Sequence, residues 1–228
     1  MDYNYQETVL KYINGNKYLT SFFHYYITHC NSQCIPYHNM KHSFQMMYHM
    51  INLYERQSEN NIEISEYELL VLLTSALYHD FNHSSGIYTD DINIDNAIIS
   101  YKQASNYVFT IYSNDKELQS QLNKDVCTCI ISTEYPNTID IHTKLGDIIT
   151  EFDILSQVSP DVLTHTLCGL KHELRSKSWK DAISNYIEFI SPLLNSMKLK
   201  YSNDYWKKYS DHFFNILTLT IKTLDING

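Results

Sequence analysis

Two short segments carry the residues whose types and spacing can do chemistry. The first reads Tyr37-His38-Asn39-Met40-Lys41-His42. The second reads His79-Asp80-Phe81-Asn82-His83, and the pair holds four of the chain's eleven histidines. Imidazole nitrogen and carboxylate oxygen together suit zinc, manganese or iron. His38 and His42 stand four residues apart and would share one face of a helix. His79 and Asp80 are adjacent, and neighbouring helical side chains point about 100° apart. Both reach one metal only where the helix ends, and the loop signal over 82–86 marks such an end. His83, four beyond His79, can return to the same pocket. A third contribution is Asp153, inside Glu151-Phe152-Asp153-Ile154-Leu155, where burying an acid is costly unless it is paired or metal-bound. The chemistry such a set supports is hydrolysis of a phosphoester. A metal lowers the pKa of bound water enough to give hydroxide near neutral pH, and two metals clamp the phosphate charge. A histidine near pKa 6.5 can protonate the departing alkoxide. Outer carboxylates orient ligands and waters. Taken alone, a histidine at a helix end is more often a cap or a surface residue. Context raises the odds: a buried Leu-rich run ending on His-Asp, a second histidine cluster upstream, and an isolated later Asp.

The elements that must position these residues are helical. Two short helices are predicted over 3–13 and 17–30, broken at Asn14-Gly15-Asn16, a turn signal. After Pro36 a helix restarts with His38, His42, Met46, His49, Met50 and Leu53 at three- and four-residue intervals. Residues 55–64 are polar and read as a loop. Ser65-x-x-Glu68 forms a capping box, and Leu69 to Leu77 is apolar almost all round, the pattern of a central buried helix. Further helices are expected from Asp90–Asn93 to about Tyr112, from about Glu117 to Ser132, and from Leu145 to Leu155. Three more follow: Asp161 to Arg175, Trp179 to Leu199 with a kink at Pro192, and Asp204 to Leu224. No alternating strand pattern, repeat or linker divides the chain. The expectation is an all-α fold, one compact multi-helix domain over residues 1–228.

Bulk composition agrees. The chain has 228 residues with only 5 Gly and 4 Pro, which favours long helices over turns. A net charge of −9 without a basic stripe argues against polymeric nucleic acid as a partner. An acidic chain still binds a small phosphate compound if a metal supplies the local positive charge. The five cysteines, Cys30, Cys34, Cys127, Cys129 and Cys168, form neither a zinc knot nor a disulfide framework and read as thiols in a reducing compartment. No signal core and no apolar run of about 18 residues appears. A soluble cytoplasmic protein without membrane contact is expected. The oligomeric state stays open.

The order His, then His-Asp, then a distant Asp resembles the HD superfamily of metal-dependent phosphohydrolases. Tyr37-His38-Asn39-x-x-His42 is similar to the Tyr-His-Asn-x-x-His motif of class I 3',5'-cyclic-nucleotide phosphodiesterases. His79-Asp80-x-Asn82-His83 resembles their His-Asp-x-Asp-His, Ile94-Asp95-Asn96 their Leu-Glu-Asn, and Thr133-Glu134 their Thr-Asp. The resemblance covers about residues 35–160, and a group of bacterial HD phosphohydrolases matches nearly as well. It implies that His42, His79, Asp80 and Asp153 hold a first metal, zinc or else iron or manganese. Asp80 would bridge to a second, magnesium or manganese. His83, Asp95 and Glu134 would hold that metal's waters. His38 would be the general acid, with Tyr37 and Phe189 toward the substrate. Two departures stand out. Asn82 replaces an Asp, so that position carries no charge. The late segment Tyr186 to Leu193 has no glutamine where the family grips its purine.

The function so implied is metal-dependent hydrolysis of a phosphodiester in a small nucleotide-like substrate, first a cyclic nucleotide, by metal-activated hydroxide. Two alternatives remain: an HD phosphohydrolase acting on another nucleotide, such as a cyclic dinucleotide or a monophosphate, and a non-catalytic nucleotide-sensing module. A helical interaction protein whose histidines only cap helices is the blandest reading.

Overall fold

The shortage of helix breakers is realised as eleven helices, with no strand among the described residues. The structure, a computed structural model, describes residues 5–30, 38–60, 62–82, 90–112, 115–134, 143–156, 158, 160–173, 175–176, 178–196 and 200–226. In chain order the helices are α1 (Tyr5–Gly15), α2 (Lys17–His29), α3 (Met40–Glu55), α4 (Gln57–Asn60), α5 (Glu66–Tyr78) and α6 (Asp90–Tyr112). They continue as α7 (Lys116–Ser132), α8 (Lys144–Leu155), α9 (Pro160–Glu173), α10 (Trp179–Ser196) and α11 (Asn203–Ile226).

Helix α5 is the axis of the molecule. The Ser65 hydroxyl accepts from the Glu68 backbone N–H while the Glu68 carboxylate accepts from the Ser65 N–H, so two otherwise orphaned donors at its start are satisfied. Every residue from Leu69 to Tyr78 is buried. An all-round apolar helix must be covered on all sides, and α2, α3, α6, α7 and α8 cover it. At its C-terminal end Phe22, Tyr26, Tyr78, Phe81 and Tyr101 pack as an aromatic cluster, with Tyr78 and Phe81 stacked at 5.2 Å. The Tyr78 hydroxyl donates to the Phe22 carbonyl. This packing anchors the chain on both sides of His79-Asp80.

Helix α8 is drawn close to α7. A Cβ on Gly146 would lie 2.5 Å from the Ser132 Oγ and 2.8 Å from the Thr143 Oγ1, so the approach depends on the missing side chain. The Thr150 hydroxyl donates to the Ser132 carbonyl one turn further on. Helices α9, α10 and α11 pack on one another around Leu163, Ile183, Tyr186, Ile190 and Phe213, and Ile154 and Leu155 at the end of α8 join that cluster.

Several expectations change. Helix α3 begins at Met40, and Asn39 caps it by accepting from the Lys41 N–H, so His38 lies before the helix and the shared-face relation with His42 does not hold. Asn outcompetes His as a cap because its short side chain reaches the orphaned N–H groups. The polar stretch expected as loop contains α4. Helix α10 runs through Pro192 to Ser196, and the expected end at Leu199 lies outside the described residues. Among the described cysteines, Cys30 and Cys129 are buried and Cys168 is exposed. Among the described residues no helix is long and apolar enough to cross a membrane.

Candidate metal centre

Three helices deliver the cluster. His42 sits in the first turn of α3, His79 caps the C-terminal end of α5 with Asp80 just beyond, and Asp153 lies near the end of α8. The His42 Nε2 is 2.9 Å from the Asp153 Oδ1, and the His79 Nε2 is 2.9 Å from the Asp80 Oδ2. The cross pairs are longer, 3.8 Å from His42 to Asp80 and 3.6 Å from His79 to Asp153. The two Nε2 atoms face each other at 3.3 Å. Both imidazoles are almost fully buried, at 3% and 2% exposure, while the Asp80 and Asp153 side chains keep 17% and 21%. The site is therefore closed behind the histidines and open along the carboxylates.

The donor set fits a divalent cation. The His79 Nδ1 is 3.0 Å from the Ala76 carbonyl, which can only accept, so Nδ1 carries a proton and Nε2 is the atom turned into the cluster. Metal-binding histidines are held in just this way. The Nε2 atoms of two imidazoles and the oxygens of two carboxylates then converge. Metal–nitrogen bonds of 2.0–2.1 Å in a tetrahedron put ligand atoms about 3.3 Å apart, and the contacts here, 2.9 to 3.8 Å, bracket that value. His42, His79 and Asp153 each offer one atom within 4.8 Å of the others, and Asp80 adds its oxygen beside both rings.

Protonation equilibria report the same field. Burial works against a charged His79, yet Asp80 and Asp153 outweigh it and hold its pKa well above the ordinary value. Burial would raise the Asp153 carboxyl, but hydrogen bonds and charge from His42 and His79 pull it down to about 2.

Other residues singled out in the sequence come from other segments. His38 is half-buried in the bend before α3. Asp95 is on α6 with an exposed side chain, and Glu134 follows α7, half-buried, its N–H donating to the Ile131 carbonyl. Phe189 is 41% exposed on α10, and Tyr186 one turn away is buried. Asn82 takes a left-handed backbone with φ 58°, a conformation Asn tolerates better than most residues. Tyr37 and His83 lie outside the described residues.

Two neighbours were not visible as parts of this assembly. The His49 ring, two turns beyond His42 on α3, stacks on Phe152 at 5.9 Å and 9°. Glu151, two residues before Asp153, is buried and binds the chain entering α11. Their partners lie far along the chain, so local pattern carried no signal for them.

No family model matches the chain. It is similar to the high affinity cGMP-specific 3',5'-cyclic phosphodiesterase 9A of Pan troglodytes, with 24% identity over 185 residues, covering 69% of this chain and 30% of the relative. The Homo sapiens protein of the same name is 23% identical over the same length and coverage. The chain thus spans under a third of the length of these curated relatives. It is a helical protein with a His/Asp group suited to a divalent metal and a distant similarity to a cyclic-nucleotide phosphodiesterase.

Proposed function

We propose that the chain is a metal-dependent phosphohydrolase that cleaves a phosphodiester in a nucleotide-like substrate, a cyclic nucleotide before others. The observation that carries this is the pair of buried Nε2 atoms 3.3 Å apart between two carboxylates. The similarity to a cGMP-specific phosphodiesterase supports the substrate class. In this reading His42, His79, Asp80 and Asp153 would hold a first ion, zinc or else iron or manganese, and Asp80 would also contribute to a second, magnesium or manganese. The bound ions supply the positive charge that a phosphoryl group and an attacking water require at neutral pH.

The protein's own groups do the rest. His79 keeps its Nε2 inward because Ala76 holds its other nitrogen. The partly open carboxylates of Asp80 and Asp153 leave the substrate an approach that the buried rings do not. His38 donates the proton to the leaving oxygen. Asp95 and Glu134 orient waters, and Phe189 offers a ring face to a base. A cell interior is the proposed setting, with all of residues 1–228 forming one functional unit.

A second reading has specific support. Asn82 and the absence of glutamine between Tyr186 and Leu193 depart from the cyclic-nucleotide pattern. They favour another small phosphoester, such as a cyclic dinucleotide or a monophosphate.

The test is metal analysis of the purified protein followed by a hydrolysis screen with manganese, magnesium and zinc. Substrates are cyclic mononucleotides, cyclic and linear dinucleotides and monophosphates. One to two divalent ions per chain and turnover of at least one substrate are expected. A folded protein that takes up no metal from any of the three salts overturns the proposal. Metal uptake without turnover leaves a nucleotide-sensing module in its place.

A further inference from the structure

Helix α8 sends two carboxylates in nearly opposite directions. Positions two apart on a helix are separated by about 200°. Asp153 points to His42 and His79 at 2.9 and 3.6 Å. Glu151, only 5% exposed, accepts the backbone N–H groups of Lys200, Tyr201 and Ser202, each at 2.9 Å, and the Ser202 hydroxyl at 2.6 Å. Ser202 is the entry to α11, since its carbonyl accepts the Trp206 N–H of the first turn. Donors just before and at a helix start have no intrahelical acceptor, and a carboxylate there is favoured by the helix dipole as well. All four contacts use one side chain, so the roll of α8 about its axis is tied to the position of the α11 N-terminus. Tyr201, held in this knot, is itself part of the core around α5.

We infer that Glu151 is a positioning residue for Asp153, and that through it the docking of α11 and the occupancy of the His42–His79–Asp153 cluster are coupled. The inference rests on the metal-site reading above. Asp153 reaches the two imidazoles only at one roll angle of α8. Glu151 sets that angle from the far side of the helix, away from His42, His79 and Asp153. Coupling of this kind is reciprocal: what fixes α8 for the metal also fixes the start of α11.

The experiment uses the full chain and manganese or zinc alone as the probe. Metal affinity is measured by calorimetry with chelator competition, and amide hydrogen exchange is followed at residues 200–202 with and without metal. Wild type should bind metal and show slower exchange at those amides when loaded. Glu151→Gln keeps the size but loses the charge and turns an N–H group toward donors. It should weaken metal binding about 10- to 100-fold, the loss usual for a partner that orients a ligand, and remove the metal-dependent protection. Ser202→Ala, which deletes a single donor, should weaken binding by a smaller factor. Tyr12→Phe removes the hydrogen bond between α1 and Glu55, away from α8, and should bind metal as wild type does. If Glu151→Gln folds and binds metal like wild type, the inference fails while the site stands. If Glu151→Gln does not fold, Ser202→Ala decides: unchanged affinity and unchanged protection overturn the inference. If wild type itself binds no metal, both the site and the coupling fall.

Discussion

Each of His42, His79, Asp80 and Asp153 is costly where it stands unless the others are present. A buried imidazole favours neutrality and a buried carboxylate favours protonation. Together they satisfy one another. Asp153→Asn keeps the size but removes the anion nearest His42. It should lower metal affinity by more than about 100-fold, beyond the loss from an outer partner, with helical content retained on circular dichroism; unaltered affinity would exclude Asp153 as a ligand. His38 is tested by its leaving group. His38→Ala should slow esters of alkyl alcohols by about 10²- to 10⁴-fold and leave nitrophenyl esters nearly untouched, because only a poor leaving group needs a proton. Equal losses on both would remove His38 from that role.

Among the helices, α8 bears the greatest positional demand. It touches α7 through Gly146, places Asp153 in the cluster and Glu151 at the start of α11. Gly146→Ala pushes a methyl into Ser132, which is buried and has its hydroxyl committed to the Thr128 carbonyl. Overpacking of this kind costs about 1–3 kcal/mol, read as a lower midpoint in urea with the slope unchanged. A midpoint equal to wild type would mean that α7 can yield at that contact. At its N-terminal end α8 is also tied to the first turn of α5 and the loop before it, since Lys144 pairs with Glu68 at 2.7 Å and donates to the Glu63 carbonyl. That ion pair is partly exposed and contributes little; the close helix approach matters more.

At the level of the whole molecule, stability should depend on pH and on metal. Burial against Phe152 pushes the His49 pKa down to about 4 from an ordinary 6.5. The folded state therefore holds His49 neutral while the unfolded chain takes up a proton below 6.5. Stability from this residue is complete above pH 6.5 and is lost on acidification until about pH 4, at up to about 1.4 kcal/mol per pH unit. His49→Leu should flatten the denaturation midpoint across that window relative to wild type; an identical pH profile would show that His49 does not titrate as described. A divalent metal held by the assembled cluster, as proposed, should add about 2.7 kcal/mol at about 100 times its dissociation constant. Thermal melts with manganese and with a chelator measure this, and coincident curves would count against binding.

The sequence by itself determined most of the helices and the ends that carry His79-Asp80 and Asp153. The α5 body, its Ser65–Glu68 cap and the limits of α6 follow from local pattern, because periodicity and capping act over three or four residues. The motif order nominated His42, His79, Asp80 and Asp153, and the fold brings those four together. Local pattern misplaced His38, since the capping choice between neighbouring polar residues turns on details of reach. What only the tertiary structure decided is the division of labour on α8. Glu151 and Asp153 are both acids in one apolar stretch, two positions apart. One meets a histidine 111 residues earlier in the chain, the other a helix start some 50 residues later. Nothing local distinguishes them, because the partner each acid needs to be buried without penalty is supplied by chain folding and not by its neighbours.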